Sequence, residues 1–175
     1  MERAKEELLV MAAQQGNLDA FNVLYQHYQQ PLLSFAYKVC SNEQIAQDAV
    51  QESWIKLSQQ LRKLKDPRAF RSWLYRSVRW SCIDLVRKQP RNEQPLSEFD
   101  DLAAPCNIEH KESQHSSLLV HINKLPPLEK QAIYLFYLNE MTIAEISIIL
   151  EIATGTVKSR LNRARNNLRA LLEQE

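Results

Sequence analysis

Five cationic side chains are spaced along residues 154–172, and no acidic residue lies among them. They are Lys158, Arg160, Arg163, Arg165 and Arg169. Such a stretch can bind phosphate, because ammonium and guanidinium groups donate charge-assisted hydrogen bonds to phosphate oxygens. The whole chain of 175 residues has a formal net charge of only +1, so its positive charge is concentrated in certain segments. This concentration predicts a surface that binds nucleic acid.

A repeat of apolar residues predicts which side of this stretch is buried. The repeating residues are Val157, Leu161, Ala164, Leu168 and Leu171. Their spacing is that of one face of an α-helix. The side chains that point away from this face are Ser159, Arg163 and Asn166, flanked by Lys158 and Asn162 on one side and by Thr156 and Arg160 on the other. The polar residues therefore face outward, where they can reach a polyanion.

The residues before the basic helix predict a shorter helix and a tight turn. Thr142 and Glu145 have the spacing of a capping box, which opens the apolar segment IAEISIIL. A turn at residues 151–153 then leads into the basic helix, which is the order of a helix-turn-helix. The second helix of such a motif enters the major groove of DNA, where an arginine such as Arg163 can read guanine. The cations placed to hold phosphates are Lys158, Arg160, Arg165 and Arg169. The alternative is a solvated basic helix at the edge of a domain.

A second group of cations, in residues 62–91, is interleaved with tryptophan. A helix that begins after Asp66 and Pro67 and ends near Lys88 buries one side, formed by Phe70, Leu74, Val78, Ser81, Cys82 and Leu85. The far side then carries Trp73, Arg76, Trp80 and Arg87. Single-stranded nucleic acid is bound in this way, with bases stacked on aromatic rings at about 1–3 kcal/mol each. The alternative is that a tryptophan packs against a neighbouring helix. This packing is favoured for Trp73, whereas exposure to solvent is favoured for Trp80.

A helix from about Asn42 to Leu61 has two different faces. Its core side is formed by Val50, Trp54, Leu57 and Leu61. The opposite side carries Asp48, Glu52 and Ile55, with Gln51 at its edge. Carboxylates beside an outward isoleucine indicate a surface for a protein partner. A solvated face with one stray apolar residue is the alternative.

The segments between these elements predict an all-α protein of two small helical domains. Only two glycines occur, which disfavours a turn-rich β architecture. Residues 91–116 are acidic and contain Pro95 and Pro105, so they predict a flexible linker between domains at residues 1–90 and 117–175. In the first domain, Asp19 is expected to cap one helix and Pro31 to open the next.

Several classes of protein are disfavoured. No run of 18 apolar residues and no secretory signal are present, so we expect a cytoplasmic protein without membrane insertion. Three cysteines at wide spacings indicate reduced structural thiols. The loose series Cys106, His110, His115 and His121 fits no standard zinc spacing, so no metal and no cofactor are expected. Phosphate-loop, HExxH and GxSxG motifs are absent, and we therefore expect no enzyme activity.

At the level of whole motifs, the chain resembles bacterial RNA polymerase sigma factors of the extracytoplasmic-function (ECF) type. The segment from LPPLEKQAIYLFYL through TGTVKSRLNRARNNLRALL is similar to their region 4. Three segments in order, QGNLDAFNVLYQHYQQPLLSFAYKV, AQDAVQESWIKL and FRSWLYRSVRWSCIDLVRK, are similar to region 2. The resemblance covers about residues 8–90 and 117–173. It implies core RNA polymerase and promoter DNA as partners, usually with an anti-sigma factor, for a chain that is monomeric when free.

The resemblance also implies a role for each surface. Asp48, Gln51 and Glu52, with Ile55 beside them, match the motif that docks on the polymerase clamp. The part that captures the opened strand of the downstream promoter box would include Arg68, Arg71, Arg76, Trp80 and Arg87. The part that reads the upstream box as duplex would include Thr156, Lys158, Ser159, Arg160, Asn162, Arg163 and Arg165. The acidic linker would either cover the basic surfaces of the free protein or lie in a basic channel of polymerase.

Three positions depart from the usual family pattern. Trp80 stands where asparagine is frequent, which suggests stacking in place of hydrogen bonding. Glu151 stands where glycine is usual, and a left-handed backbone there would cost about 1–2 kcal/mol. Ala153 replaces the usual serine cap, so Thr154 is expected to cap the helix one residue later.

A dimeric helix-turn-helix regulator of duplex operators is the alternative function, although it leaves the aromatic, basic helix unexplained.

Overall fold

The first 88 residues form four helices in which apolar stripes meet in one core. The computed structural model describes residues 1–88 and 116–173, with only the backbone at 116–119. Contacts divide the chain into two units, Met1–Gln89 and Pro90–Glu175. The helices of the first unit are α1 (Arg3–Gln14), α2 (Leu18–Cys40), α3 (Glu43–Gln60) and α4 (Phe70–Lys88). All regular elements in the described ranges are helical, which confirms the predicted all-α class.

The long helix α2 corrects two predictions. Its N-cap is Asn17, whose side-chain oxygen accepts a 3.0 Å hydrogen bond from Ala20 N, so Asp19 lies inside the first turn. There its carboxylate faces the positive end of the helix dipole. Pro31 does not open a new helix, because α2 runs through it to Cys40. The cost of an internal proline, about 3 kcal/mol, is offset by an uninterrupted stripe of buried residues: Leu24, Tyr28, Leu32 and Phe35.

Helices α3 and α4 pack against each other and against α2. The predicted core side of α3 is confirmed, because Val50, Trp54, Leu57 and Leu61 are all buried. Trp54 lies between two rings of α2, with centroid distances of 5.8 Å to Phe21 and 5.0 Å to Tyr25. On α4 the predicted core side is buried from Phe70 to Cys82, and Leu85 is half-buried. This packing places the remaining faces of α3 and α4 at the surface.

Helix α1 was not predicted, although its sequence is rich in Ala, Glu and Leu. It is tied to the turn after α3 by Gln14, whose amide donates hydrogen bonds of 3.0 and 2.7 Å to Leu61 O and Leu64 O. It is tied to α2 by Tyr28, whose hydroxyl donates a 2.5 Å hydrogen bond to the buried Glu6. These polar contacts lie far apart in the sequence, so no local pattern signals them.

The second unit contains the predicted helix-turn-helix. Its helices are α5 (Ser116–Asn123), α6 (Pro127–Ile133), α7 (Ile143–Leu150) and α8 (Thr154–Leu172), and a single π-helical turn at Tyr134–Leu138 extends α6. Thr142 and Glu145 form the expected capping box at the start of α7. Helix α8 packs against α6 and α7. The fold class is therefore confirmed for this unit as well.

The turn between α7 and α8 contains a left-handed residue and corrects one prediction. Glu151 adopts a left-handed backbone with φ of 57°. The N-cap of α8 is Ala153, which offers no side-chain acceptor, and Thr154 is already the first helical residue. The expectation that Thr154 caps the helix is therefore wrong. The chain turns into the helix at Ala153, where the backbone is extended at ψ of 147°.

Other predictions fall on parts of the chain that the structure leaves out. The acidic linker is one of them, apart from its last residue, Ser116. Of the Cys106, His110, His115 and His121 series, only His121 is described, and it is buried. Within residues 1–88 and 116–173, no helix has the length and apolar character needed to cross a membrane.

Candidate nucleic-acid interfaces

Helix α8 presents most of its predicted DNA-binding residues to solvent. Its core side is buried at Val157, Leu161 and Ala164, as the apolar repeat predicts. The exposed residues of the predicted set are Lys158, Ser159, Asn162, Arg163 and Arg165. Thr156 and Arg160 are half-buried. Helix α8 itself contains no acidic residue, since Glu151 precedes it and Glu173 follows it, so its exposed side is strongly cationic.

Contacts at both ends hold α8 in place. Near its start, the hydroxyl of Ser147 on α7 donates a 2.6 Å hydrogen bond to Ile152 O in the turn. Near its end, the amide of Asn167 donates a 2.9 Å hydrogen bond to Glu129, a buried carboxylate on α6. Neither Ser147 nor Asn167 belongs to the predicted set of DNA-binding residues. The exposed residues of α8 are therefore held by a fixed scaffold.

Helix α4 carries the second cationic surface. Trp80 is 38% exposed, and Arg76 and Arg87 are exposed on the same helix. Trp73, near the helix start, is half-buried. Trp80 has an exposed indole on which a base can stack, beside guanidinium groups that can follow a phosphate backbone.

Arg68 precedes α4 and is bound to Asp66 by a two-point contact. Arg68 Nε and Nη2 donate hydrogen bonds of 3.0 and 3.1 Å to the two carboxylate oxygens of Asp66. The same carboxylate accepts a 3.0 Å hydrogen bond from Arg68 N, which caps the short 3-10 turn Pro67–Ala69. These hydrogen bonds lower the pKa of Asp66. Arg68 is exposed, but a DNA phosphate would have to compete with Asp66 for it.

Arg71 is less exposed than the other arginines predicted to bind the opened strand. It is half-buried, and its Nε is in the protein interior without a hydrogen-bond partner among the described residues. Burial, the N-terminal ammonium group and Arg71 together lower the pKa of His27 on α2. Arg71 lies nine positions before Trp80 on α4, which at about 100° per residue places it on the opposite side of the helix, and its charge acts on His27 of α2.

The outward face of α3 has the predicted composition. Ile55 is 52% exposed, Gln51 is exposed, and Asp48 and Glu52 are partly exposed. Asp48 accepts a 3.2 Å hydrogen bond from the Gln44 amide, and Glu52 lies 3.8 Å from Lys56 Nζ. Carboxylates flanking an exposed apolar side chain form a surface that a basic protein partner could cover.

Sequence reasoning missed one residue that links two of these surfaces. Lys56 Nζ, near Glu52 on α3, donates a 3.2 Å hydrogen bond to Ser81 Oγ on α4. The i, i+4 spacing of Glu52 and Lys56 was a usable signal for their ion pair. Nothing local signals Ser81, because 25 positions separate it from Lys56.

Comparison with known proteins gives the same division of the chain. Residues 24–92 match the family Sigma-70 region 2, and residues 116–168 match the family Sigma-70, region 4. The ECF RNA polymerase sigma-E factor of Haemophilus influenzae is 30% identical, over 94% of this chain and 93% of that protein. The ECF RNA polymerase sigma factor SigW of Bacillus subtilis is 27% identical, over 93% of this chain and 94% of that protein.

Two solved structures share the fold. CnrH, in complex with the cytosolic domain of CnrY, superposes with a TM-score of 0.68 and 24% identity, over 98% of this chain and 99% of that one. RpoE of Bartonella quintana, in complex with the anti-sigma factor NepR, gives the same TM-score and identity over 87% of this chain and 96% of that one. Because the family matches, the full-length relatives and the helix-turn-helix agree, the chain belongs to the ECF RNA polymerase sigma factors and functions in the initiation of transcription.

Proposed function

We propose that this sigma factor binds core RNA polymerase through the outward face of α3 and contacts promoter DNA through α4 and α8. The docking face consists of Asp48, Gln51, Glu52 and Ile55. Helix α4 captures the opened strand of the downstream promoter box, and α8 reads the upstream box as duplex. The protein contributes binding energy and positioning, and it catalyses no covalent step itself.

The observation that carries this proposal is the difference between the two cationic surfaces. The surface of α4 combines an exposed indole, Trp80, with exposed guanidinium groups. Helix α8 has exposed cations and amides but contains no aromatic residue. Aromatic rings bind unstacked bases, whereas an arginine and amide surface suits base edges and phosphates of a duplex. The two surfaces therefore suit two different forms of DNA.

The two contacts act together once polymerase holds both units. Joining two weak binding modules raises the effective concentration of the second contact to about the millimolar range. Each surface alone can then be weak, so the free protein need not occupy promoters. Opening follows when an unpaired base stacks on Trp80, because this contact offsets the few kcal/mol of unpairing and unstacking.

We also propose that an anti-sigma factor binds this chain in its inactive state. The support is that RpoE of Bartonella quintana, which shares the fold, was solved in complex with the anti-sigma factor NepR. Exposed apolar side chains such as Ile55 on α3 and Ile148 on α7 offer contact area to a protein partner.

The test is run-off transcription with purified core polymerase on a promoter library, with and without this protein. We expect promoter-specific transcripts only when the protein is added. The Asp48→Ala, Glu52→Ala double variant should weaken binding to core polymerase and leave the binding of the isolated protein to duplex DNA unchanged. Glu43→Ala, which removes an exposed carboxylate from the first turn of the same helix, is the matched control.

Two results would contradict the proposal. One is transcription that is unchanged by the protein on every promoter. The other is a dimer in solution that binds a duplex operator tightly without polymerase, which would indicate a helix-turn-helix regulator. Sizing of the free protein, together with a binding titration at stated salt concentration, separates these cases.

A further inference from the structure

One side chain of α1 holds the connection between α3 and α4 at two points. The amide nitrogen of Gln14 donates a 3.0 Å hydrogen bond to Leu61 O and a 2.7 Å hydrogen bond to Leu64 O. Both carbonyls belong to the segment that follows α3. An amide nitrogen carries two N–H groups, so this contact uses both of them. The connection is therefore tied to the first helix of the unit.

The backbone at the second of these points determines which way two lysines face. Leu64 is extended, with φ of −69° and ψ of 111°, and its side chain is half-buried. Side chains alternate between the two sides of an extended backbone, so Lys63 and Lys65, which flank Leu64, face away from the core together. Both lysines are exposed, in agreement with this geometry. The hydrogen bond from Gln14 to Leu64 O thus holds the residue that orients them.

A further contact links the same connection to the turn after α1. A Cβ atom at Gly16 would lie 3.5 Å from Arg62 Nη2, so the Arg62 guanidinium lies beside this turn. The C-terminal end of a helix has a partial negative charge, which favours a cation beside the end of α1. Arg62 therefore adds to the contact with α1, whereas Lys63 and Lys65 face solvent.

The charge of these two lysines is not cancelled by the aspartate that follows them. Asp66 comes directly after Lys65, but its carboxylate accepts two hydrogen bonds from the Arg68 guanidinium and is already paired. Lysines that face the same way suit the phosphates of a nucleic-acid strand. Helix α4 begins at Phe70, so the lysines extend its cationic surface beyond its N-terminal end.

We propose that Gln14 is a positioning residue for promoter opening, because it fixes the connection in the shape that lets Lys63 and Lys65 bind phosphates of the strand captured by α4. This inference rests on the function proposed for α4. Gln14 contacts no DNA itself and acts through the two carbonyls that it holds. When the amide is lost, the backbone at Leu64 is free to rotate, and the two lysines are no longer presented together.

The salt dependence of DNA binding tests this role, because it measures how many cations contact phosphates. Holoenzyme formed from the full-length protein and core polymerase is titrated, at a series of salt concentrations, against a promoter fragment whose downstream box is single-stranded. The double variant Lys63→Gln, Lys65→Gln should reduce the slope of log K against log salt by about 1.4, since each contact with a single strand contributes about 0.7.

Gln14→Met gives the decisive comparison, because methionine has a similar length and removes no charge. We expect the slope to fall by about 1 in this variant, since the lysines are still present but are no longer held against the strand. Gln15→Met makes the same chemical change at the next, exposed position and should leave the slope unchanged. A loss of stability alone would not alter the number of phosphate contacts in the bound complex.

Limited proteolysis separates local order in the connection from global folding. Trypsin cleaves after lysine and arginine, so it reports how often this segment opens. Cleavage after Lys63 and Lys65 should be about tenfold faster in Gln14→Met than in the wild type, because two hydrogen bonds to the segment are lost. Cleavage at the other exposed lysines of the first unit should keep its wild-type rate.

Three results would overturn the role of Gln14. They are a wild-type salt slope in Gln14→Met, a wild-type slope in the double lysine variant, and tryptic cleavage of Gln14→Met that is faster by the same factor at all exposed lysines. The double lysine variant changes only exposed side chains, so it tests the phosphate contacts even if Gln14→Met does not fold.

Trp80→Ala, measured on the same fragment, distinguishes a failure of this inference from a failure of the proposed function. If Trp80→Ala weakens binding while Gln14→Met keeps the wild-type slope, the role of Gln14 is wrong and the role of α4 stands. If neither Trp80→Ala nor the double lysine variant alters binding, α4 does not capture the strand, and both proposals are wrong.

Discussion

Lys56 Nζ donates a 3.2 Å hydrogen bond to the hydroxyl oxygen of Ser81, and this contact joins α3 to α4. The same ammonium group lies 3.8 Å from the carboxylate of Glu52, on the proposed docking face. Ser81 is 1% exposed and directly follows Trp80 in the sequence. One cation therefore connects the docking face with the helix that carries the exposed indole.

Replacing Lys56 with methionine should weaken this connection. Methionine matches the lysine side chain as far as Cε and lacks the ammonium group, so the buried Ser81 hydroxyl loses its donor. We therefore expect the free energy of unfolding to fall by about 1 kcal/mol. Urea denaturation followed by circular dichroism measures the effect. Lys63→Met, at an exposed lysine of the following 3-10 turn, is the control and should be nearly neutral. Equal losses in both variants would show that the contact with Ser81 contributes nothing specific.

Replacing Arg163 with alanine should reduce recognition of the upstream promoter box. The side chain is exposed on the outward side of α8, where it can donate two hydrogen bonds to guanine, and its loss should cost about 1–3 kcal/mol at one base pair. Binding of holoenzyme to a set of single-base variants of the box gives the measurement. Arg169→Ala should instead weaken binding about equally for all sequences. If Arg163→Ala weakens binding equally for all variants of the box, Arg163 contacts a phosphate and does not read a base.

Replacing Trp80 with alanine should slow promoter opening without affecting duplex binding. A base stacked on an aromatic ring contributes about 1–3 kcal/mol, and Trp80 is the exposed indole of α4. Fluorescence of 2-aminopurine in the downstream box reports the opening rate. Trp80→Phe retains a ring and should recover part of that rate. An opening rate that is unchanged in Trp80→Ala would remove the stacking role.

A glycine at position 151 should stabilise the second unit relative to an alanine there. The φ of Glu151 is 57°, a region that glycine enters freely and that costs other residues about 1–2 kcal/mol. Both variants remove the glutamate side chain, so the difference in their melting temperatures isolates the backbone effect. Ala144→Gly, inside α7, should destabilise by about 1 kcal/mol. If Glu151→Gly is no more stable than Glu151→Ala, the left-handed backbone carries no strain.

Serine at position 153 should stabilise α8. Ala153 is the N-cap and has no side-chain acceptor for the free backbone N–H groups of the first turn. A serine hydroxyl would supply one, which contributes about 1 kcal/mol to stability. Thermal denaturation measures the gain. Thr154→Ala should change stability by less than about 0.5 kcal/mol, since Thr154 lies within the helix. If Thr154→Ala lowers stability by more than Ala153→Ser raises it, Thr154 is the residue that caps α8.

The local patterns of the chain determined most of its helices and their exposed faces. The apolar repeat along α8 predicted which residues are buried, and the Thr142 capping box marked the start of α7, because both depend on neighbours within a few turns. The same holds for α3, where one periodicity separates the core from the face that carries Ile55. The two cationic surfaces could therefore be assigned before any tertiary contact was known.

Tertiary packing decided what these patterns left open. Pro31 does not interrupt α2, because the core buries residues on both sides of it, and Arg71 lies inward although its sequence neighbours suggest a DNA contact. The contacts between Lys56 and Ser81 and between Gln14 and Leu64 join positions that are distant in sequence. Hydrogen bonds of this kind depend on how two helices are placed against each other, and the periodicity of a single helix contains no information about that placement.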